Sequence, residues 1–201
     1  MPAASVRLVS VMPFLLHLDR ALVEAAPAFE HPWLTSVFVV LSAWWVKGPL
    51  LMAMGLCSDL WRRRLPLAFC AAAAAAGAAS LAVGVLKETF DRARPPVADP
   101  GLGSLVSIPD NPSFPSGHSA TAFAAATAVA VLCPRLRHFA LALAAAVAVS
   151  RVYLRVHYMS DVSAGWALGA AAFATAGVVA MLVIHLRQNG SPDAPPGRHR
   201  D

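Results

Sequence analysis

Residues 66–87 read PLAFCAAAAAAGAASLAVGVLK, an apolar stretch whose only charge stands at its end. A membrane-spanning helix needs roughly 20 mostly apolar residues, so this stretch is long enough to cross a bilayer. Five stretches of the chain approach or reach that length: about Trp33 to Cys57, Pro66 to Lys87, His118 to Cys133, Phe139 to Leu154 and Val162 to Leu186. The pattern predicts an all-α, integral-membrane helical bundle with about five transmembrane helices.

The composition supports the same class of protein. Of 201 residues, 58% are hydrophobic and 13% are charged, whereas ordinary soluble domains are about 45–50% apolar and about 25% charged. A soluble domain of this size has too little interior to hide so much apolar surface. A disordered chain and a nucleic-acid-binding protein are excluded for the same reason. In the last stretch, Gly165 and Gly169 form a GxxxG pair, which predicts close helix packing.

The two ends of the chain differ from the bundle. Residues 1–32 hold only a short apolar run, closely followed by charges, which favours a helix lying in the membrane interface. A sixth span and a signal peptide are the alternatives. Residues 33–187 are expected to form the transmembrane domain. Residues 188–201 are rich in proline, glycine and charge, which predicts a disordered tail.

The basic residues divide into two sets. One set follows the odd-numbered spans and consists of Arg62, Arg63, Arg64, Arg135, Arg137 and Arg187. The positive-inside rule makes their face cytoplasmic, which places the C-terminus inside and the N-terminus outside. Five cations fall on the opposite face and violate the rule: Lys87, Arg92, Arg94, Arg151 and Arg155. Snorkelling anchors explain one or two of these well, and all five poorly.

Three polar clusters meet on that outer face. They are Lys87 to Pro95 after the second span, Phe114 to His118 before the third, and Ser150 to Asp161 between the fourth and fifth. The lysine and arginines of these clusters, Lys87, Arg94 and Arg151, are suited to neutralising a phosphoryl group. Ser116 and Gly117 stand where a helix begins, and free backbone N–H groups there favour a phosphate oxygen.

The histidines of the clusters add an acid–base pair. His157 and Asp161 are four residues apart and can meet if they straddle a helix start. The carboxylate would then fix the imidazole tautomer and leave the other ring nitrogen free to attack phosphorus. His118 is the candidate general acid for the leaving oxygen. Each motif alone is weak, because a lone PSGH with a surface histidine, or a lone His–Asp pair with a structural hydrogen bond, is commoner than a catalytic one.

The three motifs together resemble the signature of the type 2 phosphatidic acid phosphatase family. They read Lys87-x6-Arg94-Pro95, Pro115-Ser116-Gly117-His118 and Ser150-Arg151-x5-His157-x3-Asp161. The resemblance implies hydrolysis of a phosphomonoester or diphosphate through a phosphohistidine, without a metal or other cofactor. It implies that His157 is the nucleophile, that Asp161 orients it and that His118 protonates the leaving group and later activates water. The implied phosphate-binding residues are Lys87, Arg94, Ser116, Gly117 and Arg151.

The predicted substrate is a membrane lipid phosphate taken from the bilayer. The chain resembles small bacterial members of the family that hydrolyse undecaprenyl diphosphate, and phosphatidate or phosphatidylglycerophosphate is the second choice. Two other classes remain open: a vanadate-dependent oxidoreductase like the related haloperoxidases, and a non-catalytic lipid-binding scaffold.

Two features lie outside the signature. Lys47 falls mid-way along the first span, where a charge is costly and often functional; a snorkelling side chain is the alternative. Residues 96–113 are predicted to form a surface loop that borders the site, either shaping headgroup access or acting as a passive connection.

Overall fold

The computed structural model describes residues 15–63 and 65–189 of the chain, and within these ranges every regular element is helical. The prediction of an all-α fold is therefore confirmed for that part, whereas the predicted tail falls almost wholly outside it. The helices are α1 (15–25), α2 (Pro32–Leu41), α3 (Pro49–Trp61), α4 (Leu67–Phe90), α5 (Pro95–Ala98), α6 (Gly117–Leu132), α7 (Arg137–Tyr153) and α8 (Met159–Asn189). Short 3-10 turns occupy Ala26–Phe29, Pro100–Leu102 and Pro134–Leu136.

Helix α6 lies at the centre of the bundle and packs against α3, α4, α7 and α8. It begins at Gly117 because the Ser116 side chain accepts a hydrogen bond from the Ser119 amide, which satisfies one of the free N–H groups of the first turn. Most of its residues are buried, and many of them are alanines. Small side chains let four neighbours approach one helix closely.

The closest approach joins α6 to α8, as the GxxxG pair predicts. A Cβ atom added to Gly165 would lie 2.5 Å from the Ser116 carbonyl oxygen, and one added to Gly169 would lie 2.5 Å from that of Ala120. Both clashes are with backbone, so neither position has room for a side chain. The pair therefore fixes the N-terminal part of α8, which carries Asp161, against the start of α6.

The first predicted span is not one continuous helix. Residues 42–48 form turns between α2 and α3. Pro49 has no N–H group and disfavours a helical conformation at Gly48, which has φ −151° and ψ −60°. The Trp45 carbonyl, whose helical partner would be Pro49, accepts instead from the Leu50 amide at 2.8 Å. The expectation of one helix from Trp33 to Cys57 is therefore wrong, and Lys47 lies in the interruption.

The other four predicted spans correspond to α4, α6, α7 and α8. By length and composition, two segments of the described chain are long and apolar enough to cross a membrane, Leu67–Ala98 and Pro134–Tyr153. Three shorter apolar helices accompany them: α2, α3 and α6. The number of crossings, the domain limits and the interfacial position of the N-terminal segment stay predictions.

Candidate active site

A cavity of about 350 Å³ lies where α4 ends and α6 begins. The side chains around it are polar or small, and none of the described residues that line it is acidic: Lys47, Ser80, Val83, Gly84, Lys87, Arg94, Pro109, Asn111, Gly117, His118, Arg151 and His157. Four of these residues carry a positive charge. The cavity is therefore suited to a multiply charged anion.

His157 stands in the turn that joins α7 to α8, and only 2% of its surface is exposed. Arg155 adopts a left-handed conformation with φ 58°, which turns the chain sharply, and the His157 amide donates to the Arg151 carbonyl at 3.3 Å. The imidazole Nε2 lies 3.2 Å from Arg94 Nη1. This nitrogen therefore faces the guanidinium that would hold a phosphoryl group.

The second nitrogen of His157 faces a hydroxyl and a carboxylate. Nδ1 is 3.3 Å from Ser113 Oγ and 3.5 Å from Asp161 Oδ2. The Ser113 hydroxyl donates to the same Asp161 oxygen at 2.5 Å. An Nδ1 proton is therefore held by the Ser113–Asp161 pair, which leaves Nε2 unprotonated, with its lone pair directed at Arg94.

The pKa of His157 is lowered from the ordinary histidine value of 6.5 to about 4. Burial is the main cause, because it penalises the imidazolium form. The hydrogen bond and charge of Asp161 raise the pKa, and the positive charges of Arg94 and Arg151 lower it. The ring is therefore neutral, and nucleophilic, at neutral pH.

Asp161 is fully buried in the first turn of α8. Its carboxylate accepts hydrogen bonds from Arg92 Nη1 at 2.6 Å, from the Tyr158 amide at 2.9 Å and from Ser113. A helix N-terminus further stabilises a negative charge. These contacts hold Asp161 as an oriented carboxylate behind His157.

Arg92 joins this carboxylate to the N-terminal helix. Its Nη2 donates to Asp19 of α1 at 2.8 Å, and its guanidinium lies 4.0 Å from the centre of the Tyr158 ring. Asp19 is 3% exposed and also accepts from the Ser160 amide at 2.8 Å. The sequence indicated no partner for Arg92 or Asp19, because the two residues are 73 positions apart.

Two of the predicted phosphate-binding cations are fixed by the loop before α6. Arg94 Nε donates to the Asn111 carbonyl at 2.9 Å, and Nη2 donates to the Asn111 side-chain oxygen at 2.7 Å. Lys87 Nζ donates to that same oxygen at 3.0 Å and to the Pro112 carbonyl. The loop between residues 96 and 113 is therefore not a passive connection, because it positions both cations.

Arg151 differs from these two cations. It is 5% exposed, its Nε atom is buried without a hydrogen-bond partner among the described residues, and it lines the cavity. Buried guanidinium groups are normally paired, so this one is available for an anion. Gly117 also lines the cavity, at the first turn of α6.

Ser116 does not occupy the position expected of a phosphate-binding residue. The side chain is fully buried at the start of α6, and its amide donates to the Asp161 carbonyl at 2.9 Å. It is absent from the cavity lining. Its position links α6 to α8 at Asp161, and a direct contact of Ser116 with phosphate stays a prediction.

His118 is held by the interruption between α2 and α3. Its Nε2 donates to the Ser42 carbonyl at 3.0 Å. In a continuous helix that carbonyl would accept from the Val46 amide, which instead donates to the Ala43 carbonyl at 3.0 Å. The Ser42 side chain contacts Ser150 Oγ at 2.9 Å, which fastens the turn to α7. The break therefore frees the backbone group that orients His118.

The structure thus brings Lys87, Arg94, Gly117, His118, Arg151 and His157 around one cavity, with Asp161 directly behind His157. Five further residues of the site were given no role in it by the three motifs: Asp19, Ser42, Arg92, Asn111 and Ser113. An apolar helical bundle with a cationic cavity and a carboxylate-supported histidine at one end has the architecture of an integral-membrane phosphatase.

A sequence model described as the PAP2 superfamily matches residues 65–188, which is more than half of the chain. The protein therefore belongs to that family, and the prediction made from its three motifs is confirmed. Phosphatidylglycerophosphatase B of Bacillus subtilis is 30% identical over 170 residues, which cover 75% of this chain and 77% of that protein.

A lipid A 1-phosphatase of Rhizobium johnstonii is 42% identical over 94 residues. The match covers 45% of this chain and only 38% of that relative's length. Among solved structures, the transmembrane PAP2 type phosphatidylglycerolphosphate phosphatase of Bacillus subtilis superposes with a TM-score of 0.64 at 28% identity, covering 87% of this chain and 96% of that one. LpxE of Aquifex aeolicus shares the fold, with a TM-score of 0.67 at 23% identity over 79% of this chain and 94% of its own.

Proposed function

We propose that this protein is a membrane lipid phosphatase that releases the terminal phosphate of a lipid phosphate or diphosphate through a phosphohistidine. The observation that carries the proposal is the placement of His157, whose Nε2 faces Arg94 at 3.2 Å while Nδ1 faces Ser113 and Asp161. A neutral imidazole oriented in this way is an activated nucleophile. The cations around it would stabilise charge on the transferring phosphoryl group.

In the first step, His157 Nε2 attacks the terminal phosphorus and forms an N–P bond. The bond between phosphorus and the leaving oxygen breaks, its electron pair stays on that oxygen, and His118, in its imidazolium form, gives that oxygen its Nδ1 proton. Lys87, Arg94 and Arg151 hold the phosphoryl oxygens during the transfer. The negative charge of Asp161 stabilises the positive charge that develops on the His157 ring.

In the second step, His118 takes a proton from water, and the resulting hydroxide attacks the phosphohistidine. The N–P bond breaks, its electron pair returns to His157 Nε2, and inorganic phosphate leaves. His118 is then protonated again, so the two steps restore the starting enzyme.

The proposed substrate is undecaprenyl diphosphate, and phosphatidylglycerophosphate or phosphatidate is the second candidate. The names of the relatives from Bacillus subtilis and Rhizobium johnstonii support a terminal phosphate on a lipid in general. We place the active site on the extracytoplasmic face, because the cavity lies at the end of the bundle opposite the arginines that follow the odd-numbered spans. A lipid tail would stay in the bilayer while its phosphate enters the cavity.

The test uses the purified protein in detergent micelles with EDTA. Undecaprenyl diphosphate, phosphatidylglycerophosphate and phosphatidate are compared by phosphate release, and a rapid alkaline quench preserves the phosphohistidine for mass spectrometry. The His157→Ala variant should release no phosphate and carry no phosphoryl group. Absence of release from every lipid by the wild-type protein, with or without added divalent metal, would overturn the proposal.

A further inference from the structure

Lys47 is a cation of the cavity that belongs to none of the three motifs. It lies in the turn at residues 42–48, immediately before Gly48 and Pro49 interrupt the first predicted span. That turn also supplies the Ser42 carbonyl to His118. Lys47 therefore enters the site through the same break in the helix that orients the general acid.

The ammonium group of Lys47 has no hydrogen-bond or ion-pair partner within residues 15–63 and 65–189. The side chain is half-buried and lines the cavity, yet among the described residues nothing forms a hydrogen bond or ion pair with it. Lys87, by contrast, donates to Asn111 and Pro112. A half-buried cation that lines a cavity and has no partner among the described residues is available to bind an anion there.

The position of Lys47 relative to the two histidines indicates which part of a substrate it would meet. Lys47 and Arg151 both lie within electrostatic range of the His118 ring. Lys87 interacts instead with Arg94, which touches the nucleophile His157. The cavity thus has a cation beside the general acid in addition to the cations beside the nucleophile.

Resting on the function proposed above, we propose that Lys47 binds the leaving-group phosphate of a lipid diphosphate and makes the enzyme selective for diphosphates over monophosphates. His157 attacks the terminal phosphorus, and the bond from that phosphorus to the bridging oxygen breaks. The electron pair stays on the bridging oxygen, which takes the proton of His118. The departing lipid monophosphate keeps a negative charge on its other oxygens, and Lys47 neutralises it without losing a proton.

A monophosphate substrate lacks this second charged group. Its leaving group is a lipid alcohol, so Lys47 would have nothing to neutralise on the His118 side. Removal of the Lys47 charge should therefore affect diphosphates far more than monophosphates. If Lys47 instead acted on the transferred phosphoryl group, or were needed for folding, its removal would slow hydrolysis of both substrates alike.

The experiment compares farnesyl diphosphate with farnesyl monophosphate, which differ by one phosphate on the same tail. We expect Lys47→Met to lower kcat/KM for the diphosphate by about 30-fold or more, the usual effect of leaving a buried charge unpaired, and for the monophosphate by less than about threefold. Lys47→Arg should retain most of the diphosphate activity. Arg20→Gln is the matched control, because Arg20 is a cation of α1 whose side chain is 76% exposed, and it should change neither value.

Equal losses on the two substrates, or an unchanged diphosphate activity, would overturn the role of Lys47. Hydrolysis of the monophosphate but not of the diphosphate by the wild-type protein would also overturn the role of Lys47. The proposed phosphatase function would still stand. Hydrolysis of neither substrate would instead defeat the proposed function. If Lys47→Met does not fold, the proposal is tested by inhibition of the wild-type protein. Pyrophosphate should then bind at least about tenfold more tightly than inorganic phosphate. Equal inhibition by the two anions would contradict the proposal.

Discussion

His157 is held by contacts on both sides of its ring. Ser113 and Asp161 hold the Nδ1 side, and Arg94 faces Nε2. The motif spacing predicted the His157–Asp161 pair, because residues that straddle a helix start four positions apart can meet. The bridging hydroxyl of Ser113 was not predictable, since it comes from a loop 44 positions earlier in the chain.

The depressed pKa of His157 has a defined effect on the pH dependence of the rate. In the proposed mechanism the neutral ring attacks phosphorus, so protonation of His157 should lower kcat/KM only as the pH falls through about 4. The measurement is a pH profile with a water-soluble short-chain substrate, corrected for titration of the substrate's own phosphate. An acid limb that remained at the ordinary histidine value after this correction would contradict the site geometry.

The same pKa links the site to the stability of the fold. Between about pH 4 and pH 6.5, the ordinary histidine pKa, the unfolded chain binds a proton at this histidine that the folded chain does not bind. The contribution of His157 to the free energy of unfolding is therefore complete above pH 6.5 and is lost as the pH falls to about 4.

Arg92 is expected to act on the rate through Asp161, because its guanidinium contacts that carboxylate and does not line the cavity. Arg92→Gln should lower kcat by about 10- to 100-fold, as for other groups that orient a reacting side chain, and leave KM nearly unchanged. Asp19→Asn removes only the far end of the same bridge and should have a smaller effect. A change in KM alone, or an unchanged kcat, would refute this role.

At the scale of elements, the contact between α6 and α8 sets the distance between the Ser116 turn and Asp161. The GxxxG pair in the sequence predicted this contact, because only small residues allow two backbones to approach so closely. The interruption of the first span was harder to predict. Hydropathy is continuous across residues 33–57, and the physical signal is the single Gly48–Pro49 step.

A methyl group at Gly169 should separate the two helices. The added Cβ would lie 2.5 Å from the Ala120 carbonyl oxygen and 2.8 Å from the Ala124 amide nitrogen. Gly169→Ala should therefore reduce the free energy of unfolding by about 1–3 kcal/mol, the usual cost of overpacking. Denaturant unfolding in detergent measures the change.

Gly177→Ala is the matched control in the same helix, because nothing lies within 4 Å of a Cβ added there. It should be neutral or stabilising by up to about 1 kcal/mol, since alanine favours a helix more than glycine does. Equal destabilisation by the two substitutions would show that close packing is not the cause.

At the scale of the whole molecule, the outer surface of the bundle is apolar over much of its area. Large exposed side chains include Trp44, Trp61, Leu81 and Met181, and such a surface suits a bilayer. Helix α6 has 16 residues, which is shorter than a usual span. It can be short because neighbouring helices surround it.

The orientation of the bundle gives a prediction at this scale. A fluorescent protein fused after Arg187 should fold and fluoresce in the cytoplasm, and alkaline phosphatase fused at the same point should be inactive. A fusion in the exposed loop at residues 99–103 should give the opposite pair of results. Alkaline phosphatase activity after Arg187 would reverse the assignment of the two faces.

The overall class and the clustering of the motifs were predictable because they depend on composition, spacing and the alternation of spans. Asp19, Ser42 and Asn111 were not, because each reaches the site through a tertiary contact with a residue at least 17 positions away. Lys47 stood out in the sequence as a charge within an apolar stretch, but only the fold reveals the cavity that it lines.

The positive charge of the cavity also affects which form of the protein is present between one turnover and the next. Without an anion, Lys47, Lys87, Arg94 and Arg151 repel one another, and no described acidic residue in the lining offsets them. In the proposed mechanism inorganic phosphate leaves last, and its binding would relieve this repulsion and stabilise the folded protein by mass action. We therefore expect the resting enzyme to be the phosphate complex, so that turnover slows when phosphate is plentiful and rises when it is scarce.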